Sequence, residues 1–217
     1  MNTSHILRIG AIGSAIVVLM FVAIAIVLLP LDWAVPGDRI LSGQAQLTPE
    51  RLEILRTAFI IDSVLIMGWI AGWVGIAMLV RDRNVAMGNI ALALGMIGPI
   101  LDLVENGIVW MLVESPQALP PALSWYLAWK GIRYLSYVVT FAAAVVASMG
   151  LWSQKPLDRV MCVIGTVCVA VAVAGLFAPV LSLLPDVWWL VWFAGSSILL
   201  WKRATEWATR QKHAQPG

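Results

Sequence analysis

Charge is scarce in this chain of 217 residues: 12% are charged against 61% that are apolar, and the mean hydropathy is +0.89. A soluble domain carries about a quarter of its residues as charges, so no aqueous surface can be built here and no separate soluble domain is expected. Histidine is almost absent. His5 and His213 stand near the two ends and none falls in the apolar segments, which argues against histidine-ligated haem, a zinc hydrolase of the H-E-x-x-H type and a histidine-cluster di-iron oxidase. The two cysteines, Cys162 and Cys168, lie six apart in one apolar segment, so they form no C-x-x-C pair and read as small core residues. Also missing are a Gly-rich phosphate loop with its lysine and a G-x-S-x-G elbow, which argues against nucleotide hydrolysis and serine acyl transfer. No metal and no cofactor is expected. The basic residues are spread over short connections with no run that could follow a phosphate backbone, so nucleic acid is not a partner.

Long apolar runs are abundant. A membrane helix needs about 20 apolar residues, and the runs place six spans near 7–29, 57–80, 85–113, 121–152, 157–179 and 185–204, with a polar tail over 205–217. The expected fold is an all-α, polytopic integral membrane bundle forming a single transmembrane domain. The first run is longer than a signal-peptide core and has no small-x-small cleavage site before Asp32, so it reads as a retained helix. Thr48-Pro49-Glu50 is a helix start, with Thr48 as cap and Pro49 where its missing N–H costs nothing; Arg51, Glu53 and Arg56 make the first turn polar. Gly95, Gly98 and Pro99 predict close packing and a kink in the third helix, and Pro179 a disturbance in the fifth. Leu31 to Leu47 has room for an interfacial helix that adds no crossing.

Lys and Arg set the orientation. Arg8, Arg81, Arg83, Lys155, Arg159, Lys202, Arg203, Arg210 and Lys212 fall on one side, and Arg39, Arg51 and Arg56 on the other. The richer side is cytoplasmic by the positive-inside rule, which puts both termini in the cytoplasm and the protein in the cell membrane, the inner membrane in a bacterium. Asp32, Asp38, Glu50, Glu53, Glu114 and Asp186 then lie outside. Trp33, Trp125, Trp152, Trp188, Trp189, Trp201 and Trp207 fall near span ends and read as interfacial anchors.

Five ionisable groups are left within the spans: Asp62, Asp102, Glu105, Lys130 and Arg133. Each costs on the order of 3 kcal/mol to insert, so they must find partners. If the third and fourth helices run antiparallel about a turn near Gln117, Glu105 lies level with Lys130 and Asp102 with Arg133. The two charges on each helix are three apart and share a face, so one contact could form both pairs. Asn106 joins the acidic stripe. Tyr126, Tyr134 and Tyr137, all the tyrosines of the chain, fall with Lys130 and Arg133 on one stripe of the fourth helix, and Trp69 and Trp73 lie beneath Asp62 on the second. Three helices therefore converge on a polar, aromatic-lined pocket in the outer half of the bilayer, with three acids facing two bases. Either one carboxyl keeps a proton or a cation occupies the space.

Three function classes fit. The first is binding or proton-coupled transport of a small amphipathic or cationic solute, the second an intramembrane enzyme acting by acid catalysis on a lipid or isoprenoid, and the third a structural subunit whose buried pairs fix helix register. Membrane lipids are the other expected partner, and oligomeric state is open. Gly68 and Gly72 form a G-x-x-x-G step that marks close packing within the bundle more readily than dimerisation.

Overall fold

Six helices in a closed ring make up the bundle. The computed structural model describes residues 3–31, 48–114, 122–153, 155–177 and 184–214. The helices are α1 (Thr3–Leu28, continued by a 3₁₀ turn over Leu29–Leu31), α2 (Pro49–Arg81), α3 (Val85–Glu114), α4 (Ala122–Leu151), α5 (Pro156–Phe177) and α6 (Leu184–Ala214). No strand occurs among the described residues. Four stretches, Thr3–Leu31, Pro49–Arg81, Val85–Met111 and Tyr126–Leu151, are long and apolar enough to cross a membrane. Each helix packs on its neighbours in sequence, α6 closes back on α1, and α2 also reaches across the ring to α4 and α6. The all-helical membrane bundle read from the sequence is the observed fold.

Local chemistry sets the ends. Thr48 has extended backbone and its hydroxyl accepts the N–H of Arg51 at 3.4 Å, with Pro49 as the first helical residue. The helix α3 continues through Pro99. The turn near Gln117, the stretch from Asp32 to Leu47 and Pro179 lie outside the described residues.

Glycines let α1 and α2 touch backbone to backbone. A Cβ built on Gly10 would lie 2.6 Å from the Cα of Gly75, and one on Gly13 would lie 2.7 Å from the carbonyl oxygen of Gly68. The G-x-x-x-G step at Gly68 and Gly72 is therefore spent within the bundle, where its partners are α1 and the Phe193 ring of α6. Gly95 likewise packs on the Trp73 ring and Gly98 on Thr140 and Trp69, which draws α3 against α2 and α4. A bulkier residue at the α1–α2 contact must push two helices apart. Gly10→Val should lower stability by about 1–3 kcal/mol, read as a fall in the thermal midpoint of the purified protein. Gly107→Ala is the control, because its Cβ would meet nothing within 4 Å, and it should hold the midpoint or raise it slightly through the better helix propensity of alanine.

Between these contacts lies an aromatic core. Trp69, Trp73, Phe141, Trp188, Trp189, Trp192 and Phe193 are all buried, and their rings meet edge to face, tilted or stacked at centroid distances of 4.6–6.4 Å. Trp188 and Trp189 are therefore core residues and not interfacial anchors; the Trp188 indole N–H donates to the carbonyl of Ile164 at 2.9 Å. Trp152 and Trp201 are exposed, as anchors would be. Trp33 and the Trp125 side chain lie outside the described residues.

The helix ends rich in arginine gather at one end of the bundle, where some of these side chains are knotted together and the rest are exposed. Asp158, in the first turn of α5, is wholly buried and accepts from Arg203 of α6, from Arg83 of the α2–α3 turn at 2.6 Å and from the Ser153 hydroxyl at 2.5 Å. Arg203 also donates to Glu206 at 2.7 Å, and Lys155 reaches the same carboxylate at 2.9 Å. Burial pushes the Glu206 carboxyl up, but the hydrogen bonds from Lys155 and Arg203 outweigh it and hold it below the usual range. At the opposite end, Arg56 bonds Glu114 at 3.0 Å across α2 and α3.

Candidate functional site

Near the Arg56–Glu114 end the helices part around a cavity of about 560 Å³. Five helices line it. The charged wall comes from α2, α3 and α4 with Asp62, Asp102, Glu105, Asn106, Arg133 and Tyr137, backed by Ser136 and Thr140. Facing it, α1 contributes Phe21, Ile24, Ala25, Leu28 and Leu29, and α6 contributes Val187, Trp189 and Leu190. Ala25, Leu29 and Val187 are exposed on the outside of the bundle, so this second wall is thin, apolar and turned toward lipid. A guest here meets carboxylates on one side and hydrocarbon or aromatic faces on the other.

The polar side chains form two short chains of contacts. Asn106 donates its amide to Asp62. Arg133 reaches Glu105 and the Tyr137 oxygen, each at 3.4 Å, and its guanidinium lies 5.6 Å from the Trp129 ring centre; the Tyr137 hydroxyl in turn donates to Asp186. Asp102 makes no hydrogen bond or ion pair with any described residue. The Trp69 indole N–H is buried without an acceptor, and Trp69 lines the cavity. The Trp129 indole N–H is in the same state, so among the described residues Asp102, Trp69 and Trp129 are the open polar positions of the wall.

This arrangement departs from the sequence-based pairing in two ways. Arg133 bonds Glu105 and not Asp102, and Lys130 does not join the carboxylates: its ammonium lies 3.4 Å from the Tyr126 oxygen and over the Tyr126 and Tyr134 rings, at 5.5 and 5.9 Å from their centres. Equal depth fixes only one coordinate of a helix–helix contact. At about 100° per residue, the cavity-facing side of α4 is centred on Trp129, Arg133, Ser136 and Thr140, which carries Tyr126 and Lys130 to its edge and Tyr134 beyond it. Of the residues singled out, Asp62, Trp69, Asp102, Glu105, Asn106, Arg133 and Tyr137 share the cavity, whereas Tyr126, Lys130 and Tyr134 do not.

Asp186 is the residue that sequence reasoning misplaced. It was expected outside the membrane, yet its carboxylate meets Tyr137, which stands 15 residues into α4 and so about 22 Å along it. It lies in the first turn of α6, where the positive end of the helix dipole favours a carboxylate. With Asp186 included, four carboxyl groups and one guanidinium of the described residues line the cavity. No cluster among the described residues has the donor set of a metal site.

The chain matches no protein-family model, no curated protein and no solved structure. What it does must therefore be argued from this cavity. The wall has no histidine or cysteine, so its repertoire is proton binding, charge pairing and aromatic contact with a cation. The excess of carboxyl groups over the single guanidinium must be balanced by protons or by a bound cation, because several uncompensated charges at this depth would each cost kilocalories.

Proposed function

We propose that the protein is a multi-pass protein of the cell membrane, with six crossings and both termini cytoplasmic, that binds a small amphipathic cation in this cavity and exchanges it for protons. The Lys and Arg concentrated at the Asp158 end support the orientation, and the cavity then opens in the outer half of the bilayer. The observation that carries the reading is the two-sided wall: four carboxyl groups against one guanidinium on one side, and aliphatic and aromatic side chains toward lipid on the other. A neutral lipid would leave the carboxyl groups unmatched, and an inorganic cation would make no use of the apolar wall. A hydrophobic ammonium satisfies both, its charge beside Asp102 and its alkyl groups against Trp69, Trp189 and Leu28.

Tetrabutylammonium is a suitable probe. It should raise the thermal midpoint of the purified protein, quench tryptophan fluorescence and release protons into weakly buffered solution as it binds. Asp102→Asn, which breaks no bond in the wall, should fold normally and bind about 10- to 100-fold more weakly, the range for a lost charge-assisted contact. The proposal fails if wild type binds no member of a graded quaternary ammonium series, or if Asp102→Asn binds equally well.

A further inference from the structure

The far end of α6 carries a second recess that has no part in the cavity. Between the C-terminal half of α6 and the α4–α5 link lies an open groove of about 930 Å³, lined by Lys155, Trp201, Lys202, Thr205, Glu206, Thr209 and Arg210. Its charge is unbalanced. Glu206 is already held by Lys155 and Arg203, while Lys202 and Arg210 make no hydrogen bond or ion pair with any described residue. The hydroxyl protons of Thr205 and Thr209 go to the carbonyls of Trp201 and Thr205 at 3.1 Å, so among the described lining residues the donors left facing outward are Lys202, Arg210 and the exposed Trp201 indole.

On the six-crossing topology proposed above, this groove falls in the headgroup layer. Lys202 follows directly on the apolar part of α6, and Arg210 stands eight residues, or about 12 Å, further along the axis. The polar region of a bilayer extends about 5–7 Å beyond the hydrocarbon on each side, so the groove spans the layer that holds lipid phosphates. Trp201, half exposed at the start of the groove, sits where indole prefers the hydrocarbon boundary.

We propose that this groove is a binding site for the headgroup of an anionic phospholipid from the leaflet at the arginine-rich end, with the phosphate between Lys202 and Arg210 and the acyl chains descending past Trp201. Positive charge spread evenly over that end would attract anionic lipid without any site. The groove differs in that two cations paired with no described residue line one recess with an exposed tryptophan, and the acid beside them is neutralised from behind by Arg203 and Lys155.

The test compares two double variants that remove equal charge from the same end. Lys202→Gln with Arg210→Gln empties the groove, and Arg8→Gln with Arg81→Gln removes two exposed arginines outside it. Purified protein in neutral detergent is titrated with phosphatidylglycerol or phosphatidylcholine, and binding is followed by the thermal midpoint and by Trp201-sensitive fluorescence, with Trp201→Phe locating the signal. Wild type should prefer phosphatidylglycerol, and the preference should fall about 30-fold in the groove variant, at about fivefold per cation, and by less than threefold in the other. Equal losses in both variants, or no preference in wild type, would overturn the site. Inorganic phosphate at the same concentration should leave the midpoint unmoved; a full effect from phosphate alone would show an anion site in place of a lipid site and would also overturn the proposal.

Discussion

Arg133→Met is expected to cost about 3–5 kcal/mol, a large share of the roughly 5–15 kcal/mol that holds a typical protein folded, because it strips the only described guanidinium from a cavity lined by four described carboxyl groups. Arg133 touches Glu105 and Tyr137, each at 3.4 Å, and lies over the Trp129 ring. Its loss leaves the Glu105 carboxyl, one of the few buried charges in the bundle, without a partner. The double variant Arg133→Met with Glu105→Gln should recover at least half of that loss, since removing both members of a buried pair is far cheaper than removing one. Arg133→Met with Asp102→Asn should recover much less. Urea or thermal unfolding of the four variants in detergent, read as a double-mutant cycle, separates the two partners. If Asp102→Asn gives the stronger rescue, the Glu105–Arg133 pairing is wrong.

That pairing shows where one-dimensional reasoning stops. Six helices were legible because apolar length, capping residues and prolines act locally: Thr48 and Pro49 start α2 whatever packs against it. Convergence of Asp62, Asp102, Glu105 and Arg133 was legible too, because buried charges in hydrocarbon have few places to go. Partner choice was not. Glu105 and Asp102 differ by three residues, about 4.5 Å in depth, which the long arginine side chain bridges easily, so rotation of the helices decides which carboxylate it meets. Lys130 was lost for the same reason, turned toward the rings of Tyr126 and Tyr134.

One error of depth explains the other misplacements. Pro185 stands at the start of α6, and from sequence alone the start of a span reads as a point at the membrane surface. Asp186 instead meets Tyr137, and Trp189 meets Trp69, 20 residues into α2. Once α6 begins that deep, Asp186 becomes a wall residue and Trp188 and Trp189 become core. Only the contacts across the ring carry this information, and no spacing within α6 does.

The arginine-rich end yields the second large effect. Asp158 is fully buried and holds Arg203, Arg83 and Ser153 at once, tying the α2–α3 turn, the α4–α5 link, α5 and α6 together. Asp158→Asn preserves the shape but leaves Arg203, only 4% exposed and with its Nε already unpartnered, without its buried acid and held by Glu206 alone. The expected cost is again about 3–5 kcal/mol. Arg83→Gln should cost much less, because the Arg83 side chain is 28% exposed and its partner keeps Arg203. Adding Arg203→Met to Asp158→Asn should restore most of the stability. Hydrogen exchange gives the finer reading: in Asp158→Asn, amides at the arginine-rich ends of α5 and α6 should open first, while those around the cavity stay protected. Tetrabutylammonium affinity of the folded fraction should then be unchanged, since the knot and the cavity lie at different levels of the bundle. A loss of cavity protection at the same rate as the helix ends would mean that the two sites form one cooperative unit, with the knot at one end setting the stability of the binding wall at the other.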